Sequence, residues 1–424
     1  MNVFWFRRDL RLTDNIGLQQ AIEAGSPLLL IFIFDELILD ELPKNDPRVN
    51  FIYDELKRLN LTLNKIKSSL LVFKGEPKYV WQNLISRYPI KKVFINRDYE
   101  PYAIKRDKEI GLLLKSNNIV LESFKDQVIF EPSEVLKADK KPYTVYTPFK
   151  NKWLSLYQPV KSLHTPDFKK LYQELHHFPS KLELGIQNSS IKVKPFTLKK
   201  IDNYENERDF PALNSTSYLG VHLRFGTVSV REIISQLGPN HTVFLSELIW
   251  REFFMQILFY FPQVVSNNFK KKYDKIEWVN NEDDFEKWKQ GKTGYPMVDA
   301  GMRQLNSTGY MHNRVRMVVA GFLCKHLLID WRWGEAYFAS KLLDYELAAN
   351  NGNWQWAAGT GCDSAPYFRI FNPASQLKKF DNQGDYIKQW IPEFDSLEYP
   401  KKMIDHTFAR KRALSYYKLG LEKY

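Results

Sequence analysis

The sequence predicts an α/β fold: a doubly wound parallel-sheet (Rossmann-like) domain over residues 1–130, then an all-helical domain over 201–424, joined by a connector over 131–200. Three observations predict it. Short apolar runs alternate with helical patterns in the first 130 residues. Seven prolines and many lysines fill the middle. Helical periodicity dominates the rest.

In the first segment VFWF, LLLIFIF, SLLVF, KKVFI and IVLESF are rich in Val, Ile, Leu and Phe. Between them lie NIGLQQAIEAG, NDPRVNFIYDELKRLN, PKYVWQNLISRY and EPYAIKRDKEIGLLLK, each with helical spacing. Continuous apolar strands alternating with helices indicate a parallel sheet covered on both faces. No GxGxxG follows the first strand; Arg7, Arg8 and Arg11 stand there, so the ordinary dinucleotide fingerprint is missing.

Pro132, Pro142, Pro148, Pro159, Pro166, Pro179 and Pro195 mark the middle segment as an irregular surface connector. Beyond it SELIWREFFMQILFYF, YPMVDAGMRQLN, NRVRMVVAGFLCKHLLIDW and WGEAYFASKLLDYELAANN read as helices.

The net charge of +12 suggests an anionic partner. The surplus is uneven: +3 over 1–130, +7 over 131–200 and +2 over 201–424. It therefore sits in the connector, where a solvated lysine-rich face explains it. Two cysteines make neither a disulfide framework nor a metal site, and point to a reducing, cytoplasmic setting. The opening MNVFWFRRDLR is charged too early for a signal peptide, and no apolar run reaches membrane-spanning length.

Four constellations stand out. Ser215, Thr216 and Ser217, with Gly220 nearby, suit a helix cap or a phosphate turn. Glu247, Trp250, Arg251 and Phe254 share one helical face by their i, i+3, i+4, i+7 spacing. Asn313, Arg314, Arg316 and Met317 open an apolar helix; arginines there oppose the macrodipole, and phosphate would favour them. His312 beside them reads as structural. Last, Asp344, Glu346, Asn350, Trp354 and Trp356 precede Arg369 in ELAANNGNWQWAAGTG and its flanks. Two residues apart on a helix, Trp354 and Trp356 face nearly opposite ways.

Together these stretches resemble the photolyase/cryptochrome family of flavoproteins, and within it the class I photolyases acting on cyclobutane pyrimidine dimers. The resemblance runs from FWFRRDLRLTDN to FARKRALSYY and is most specific in ELIWREFF, WKQGKTGYPMVDAGMRQLNSTGYMHNRVRM and ELAANNGNWQWAAGTGCDSAPYFRIFNPASQ. It implies FAD bound in the helical domain. The implied FAD contacts are Tyr204, Thr216, Ser217, Tyr218, Leu219, Gly220, Phe244, Asp344, Glu346 and Asn350. Asn350 falls beside flavin N5, where photolyases carry Asn. Trp354, Trp331 and Trp278 match an electron chain leading from the flavin to the surface. Trp250 and Trp356 match the aromatic walls around a flipped dimer. Glu247 and Asn313 match its hydrogen-bonding partners, with Glu247 also stabilising charge on the dimer, and Met317 matches its filler. Arg208, Arg251, Arg314, Arg316, Arg369 and Gln376 match or neighbour DNA contacts.

Gly220 stands where serine is usual, and Glu346 where aspartate is usual. Folate-using members carry a lysine where Ser266 aligns, whereas Glu100 matches a folate-contacting glutamate. A second antenna chromophore is thus open between folate, a deazaflavin and a flavin. The implied activity is light-driven repair of UV-damaged DNA by a monomer. A signalling cryptochrome is the main alternative. A flavin-free nucleic-acid-binding protein and repair confined to single strands are further ones.

Overall fold

The computed structural model describes residues 1–159 and 167–424, so Pro166 and its neighbours in the connector lie outside the described residues. The described chain divides into two compact units. The first comprises Met1–Leu136, Lys152–Phe196 and Tyr218–Pro239; the second Lys137–Asn151, Thr197–Ser217 and Asn240–Tyr424.

In the first unit all five apolar runs are strands: β1 (Asn2–Phe6), β2 (Leu28–Asp35), β3 (Leu70–Gly75), β4 (Lys92–Asn96) and β5 (Val120–Phe124). They form one parallel sheet in the order β3-β2-β1-β4-β5. The four predicted helices are α1 (Ile16–Glu23), α2 (Pro47–Asn64), α3 (Pro77–Arg87) and α4 (Pro101–Ser116). β1 and β2 are buried along their whole length, as central strands covered on both faces must be.

The arginines after β1 are consumed by carboxylates. Arg7 pairs with Asp107, Arg8 with Asp98 at 3.3 Å and Glu100 at 3.1 Å, and Arg11 with Asp126 at 2.6 Å. Where a dinucleotide fold keeps open backbone for a pyrophosphate, the carboxyl end of this central strand is closed by ion pairs.

The connector is less irregular than expected. It contains α5 (Tyr146–Leu156), and its Leu171 is buried and bridges to Leu28 of β2. Lys137–Asn151 pack with the second unit, and 218–239 with the first, including α6 (Leu219–Phe225) and α7 (Val230–Ser235). Buried aromatic anchors such as Tyr146 and Phe149 hold this proline-rich stretch, and prolines alone do not reveal them.

The second unit is helical: α8 (Thr242–Tyr260), α9 (Glu282–Gln290), α10 (Pro296–Thr308), α11 (Asn313–Gly321), α12 (Trp331–Lys341), α13 (Leu347–Ala358), α14 (Pro373–Phe380), α15 (Asp385–Trp390) and α16 (His406–Glu422). Two predicted helices are broken. NRVRMVVAGFLCKHLLIDW is α11 followed by a π-turn over Phe322–Leu327, ended by Leu328 at φ 52°. WGEAYFASKLLDYELAANN is α12 and α13 separated by 342–346. Asp344 and Glu346 therefore lie in a link and not on a helix; Glu346 is the extended residue just before α13. Among the described residues no helix is long and apolar enough to cross a membrane.

Candidate functional site

A cavity of about 90 Å³ opens within the second unit. Eight residues singled out in the sequence line it: Asn313, Arg316, Met317, Asp344, Glu346, Asn350, Trp354 and Trp356. They come from the start of α11, the 342–346 link and α13. Phe338, Leu342, Ala349 and Ala357 supply the apolar part of its wall.

The two tryptophans of α13 differ as their spacing implies. Trp354 is 2% exposed and packs on Phe338 and Trp288, at ring distances of 4.9 and 6.2 Å. Gly334 of α12 makes this possible, because a Cβ there would lie 2.1 Å from the indole. Trp356 is half-buried and has no ring contact among the described residues. It borders the first cavity and a second, narrower one lined also by Met317, Lys325 and Arg369.

Ion pairs hold the polar groups in place. Asp344 accepts from Arg316 at 2.9 Å, and Glu346 pairs with Arg251 at 3.2 Å. Glu247 pairs with Arg208 at 2.7 Å, and Arg314 with Asp209 at 2.7 Å. The arginines opening α11 thus find carboxylates, Asp209 and Asp344, without needing a phosphate. His312 is structural: its ring accepts from the Arg314 N–H and caps the helix, and burial holds its pKa down to about 4.

Asn350 donates from Nδ2 to Glu335 Oε1 at 2.8 Å. Burial pushes the Glu335 carboxyl up from its ordinary range. Sequence reading missed Glu335, which sits inside an ordinary helical pattern.

A second group lies along α8 and the preceding short helix Tyr204–Glu207. Phe244 packs edge-on to Tyr204 at 5.0 Å, and the Arg208 guanidinium lies 5.3 Å over the Tyr204 ring. Trp250 does not line the cavity; Tyr146 stacks on it. Gln376 in α14 has a buried, unpartnered Oε1, and Arg369 is exposed over Phe371.

Thr216, Ser217, Tyr218, Leu219 and Gly220 do not line the cavity. The expected cap is not made: α6 begins after Tyr218, at φ 54°, with no side-chain cap, and Ser215 bonds to Glu207. Trp331 is fully buried with its N–H on Asn268 at 2.8 Å, and Trp278 is half-buried against Tyr417. Glu100 is tied to Arg224 at 2.8 Å, and the Ser266 carbonyl to Arg332 at 2.7 Å.

Residues 2–167 match the family model for DNA photolyase, and residues 244–398 the model for the FAD binding domain of DNA photolyase. The chain is 36% identical over 470 residues to a deoxyribodipyrimidine photo-lyase of Agrobacterium fabrum, covering 98% of this chain and 97% of that one. It belongs to the DNA photolyase family. The identity to the deoxyribodipyrimidine photo-lyase of Escherichia coli K12 is also 36%, over 98% of both chains. Among solved structures, a class III photolyase from Agrobacterium tumefaciens superposes with a TM-score of 0.85 at 34% identity, covering 100% of this chain and 98% of that one. An archaeal photolyase from Sulfolobus tokodaii, solved with two FAD molecules, gives 0.85 at 35%, covering 99% and 100%. A Synechocystis cryptochrome, 23% identical with a TM-score of 0.86 over 98% of this chain and 99% of that one, shares the fold. The photolyase FAD-binding domain, 244–398, contains every residue that lines the cavity.

The cavity's chemistry suits the flavin. Asp344, Glu346 and Asn350 give one polar edge able to meet ring N–H and carbonyl groups. Trp354, Phe338 and the alanines give the flat apolar wall that a heterocycle requires.

Lys325, in the π-turn beside the second cavity, is buried. Its ammonium donates to the Ala358 carbonyl at 2.7 Å and lies 3.7 Å over the Tyr417 ring. Among the described residues no carboxylate pairs with it, and burial brings its pKa down to about 7. A lowered lysine pKa means the unfolded chain holds more protons between about 7 and the ordinary lysine range. Stability carried by this residue therefore rises with pH across that window. Lys325→Met is expected to remove up to about 1.4 kcal/mol of that rise per pH unit. Urea midpoints of both proteins at pH 7 and 9 check it; parallel changes would contradict it.

Proposed function

We propose that this protein repairs cyclobutane pyrimidine dimers in DNA, driven by light, as a photolyase of the class I type. The single observation that carries this is the shared cavity. Residues assigned to the flavin edge (Asp344, Glu346, Asn350) and residues assigned to the lesion (Asn313, Met317, Trp356) line the same space. A donor and its acceptor held in one cavity need no diffusing carrier.

Bound FAD supplies the light-excitable electron donor. The chain's own residues do the rest. Asn350, fixed by Glu335, presents its amide oxygen towards the ring edge. Arg316 and Arg251 hold Asp344 and Glu346 for the ring and ribose side. Glu247, held by Arg208, offers a hydrogen bond where charge develops on the dimer. Trp356 at the cavity wall, with Trp250 on α8 beyond its lining, offers the aromatic surfaces for the extruded bases. The arginines at the rim bind backbone phosphates without reading sequence. The first unit is assigned to the antenna, which collects light and takes no part in bond breaking.

The test is repair of a dimer-containing duplex by purified, FAD-loaded protein under blue light, with chromatography of the products. Light-independent turnover, or none with the cofactor reduced, would rule the proposal out; a signalling cryptochrome gives the latter result.

Trp278→Phe is expected to slow photoreduction of oxidised cofactor at least tenfold while leaving repair by pre-reduced protein within about twofold, a barrier change of about 1.4 kcal/mol on the first step alone. Comparing the two assays on one preparation decides it, since equal losses would assign Trp278 elsewhere. Arg314→Ala is expected to weaken binding to damaged and undamaged duplex alike and to lower the salt slope by about one. An unchanged slope would leave Arg314 as the partner of Asp209 only.

A further inference from the structure

We propose that Tyr146 is a positioning residue: it holds the Trp250 indole against which an extruded base stacks, and so sets part of the preference for damaged DNA. This rests on the reading of Trp250 as a wall of the lesion slot.

The stack is close and parallel. The Tyr146 and Trp250 centroids are 3.6 Å apart and their planes differ by 7°, so the phenol lies directly over the indole. Phe254 is a looser neighbour of Trp250, at 5.4 Å and 28°. Phe253 meets Trp250 edge-on at 5.5 Å. Tyr146 therefore covers one indole face, and the residue as a whole remains half-buried.

Tyr146 is itself held at both ends. Its hydroxyl donates to the Ser246 carbonyl at 2.7 Å, one turn before Trp250 on α8. Its backbone N–H donates to Asp363 Oδ2 at 3.0 Å, in the loop that follows α13 and Trp356. A residue from the 137–151 excursion thus ties the Trp250 helix to the loop beside Trp356. It is 7% exposed, so it is a fixed part of the wall.

Rotation of an indole about its side-chain bonds is the freedom a base-stacking wall must lose before binding. A ring stacked directly over it removes that freedom in advance. An aliphatic group of similar volume fills the space without imposing a plane.

The experiment compares Tyr146→Phe, Tyr146→Leu and Trp250→Ala, each FAD-loaded, by affinity for a dimer-containing duplex and for the same duplex undamaged. Melting temperature and bound FAD are followed alongside. Tyr146→Leu is expected to lower the preference for the dimer about tenfold, the scale of one lost base stack. Its affinity for undamaged duplex and its salt slope should be unchanged. Tyr146→Phe keeps the ring and should retain the preference within about twofold. A merely structural role would shift melting in both variants and the preference in neither, which overturns the proposal. So does a parallel loss of both affinities. If Trp250→Ala abolishes the preference while Tyr146→Leu keeps it, the positioning role alone falls. If Trp250→Ala keeps it, the slot reading falls and the proposal with it.

Discussion

Asp126→Ala is expected to cost the first unit about 3–5 kcal/mol, the range for removing one partner from a buried ion-pair network. Asp126 is 1% exposed and accepts from Arg11 at 2.6 Å and Arg231 at 2.7 Å. Burial pushes its carboxyl up, but the two guanidiniums outweigh that and hold it below the usual carboxylate range. Alanine leaves both arginines, each under a tenth exposed, with less charge than they need; Arg231 keeps Asp14 at 3.0 Å, while Arg11 keeps its hydrogen bonds to the Asp14 and Gly226 carbonyls. The native pair also adds stability above the unfolded pKa that fades as pH falls through the folded one. The variant should lose that acid-side slope as well as its midpoint. Urea unfolding at pH 7 and at about pH 3, below the ordinary aspartate range, measures both. A loss under about 1 kcal/mol at pH 7 would show that the network relaxes around the gap, as exposed pairs do.

The same network shows what spacing hides. The run RRDLR reveals the missing glycine fingerprint, but the partners of its arginines, Asp98, Asp107 and Asp126, lie about ninety or more residues on, where no periodicity connects them. The sheet was legible because period and composition are local properties, and all five apolar runs became strands. The eight cavity residues were legible because their motifs are contiguous. Glu335 and Tyr146 were not. One is an unremarked acid in a helix and the other an aromatic in a proline-rich stretch, and each matters through a partner distant in sequence. The breaks at 328 and 342–346 were missed because apolar periodicity runs through them, while the left-handed Leu328 that ends the π-turn carries no glycine to signal it.

Trp356→Ala is expected to reduce the preference for dimer-containing over undamaged duplex roughly 10- to 100-fold, since one base–aromatic stack is worth about 1–3 kcal/mol. The two tryptophans of α13 allow an internal comparison. Trp354 is ringed by Trp288 and Phe338 and fills space that Gly334 leaves open, so truncating it should cost about 3–5 kcal/mol of stability. Trp356 is half-buried, borders two cavities and has no ring contact among the described residues, so its truncation should cost no more than about 1–2 kcal/mol. A large indole kept at a cavity wall with so little packing needs another reason to be there, and a stacked base provides one. Affinity for both duplexes, measured with the melting temperature and FAD content of the same preparation, separates the two roles. If the Trp356 variant loses as much stability as the Trp354 variant, or binds both duplexes equally less well, Trp356 belongs to the fold and the lesion wall must be sought elsewhere in the cavity.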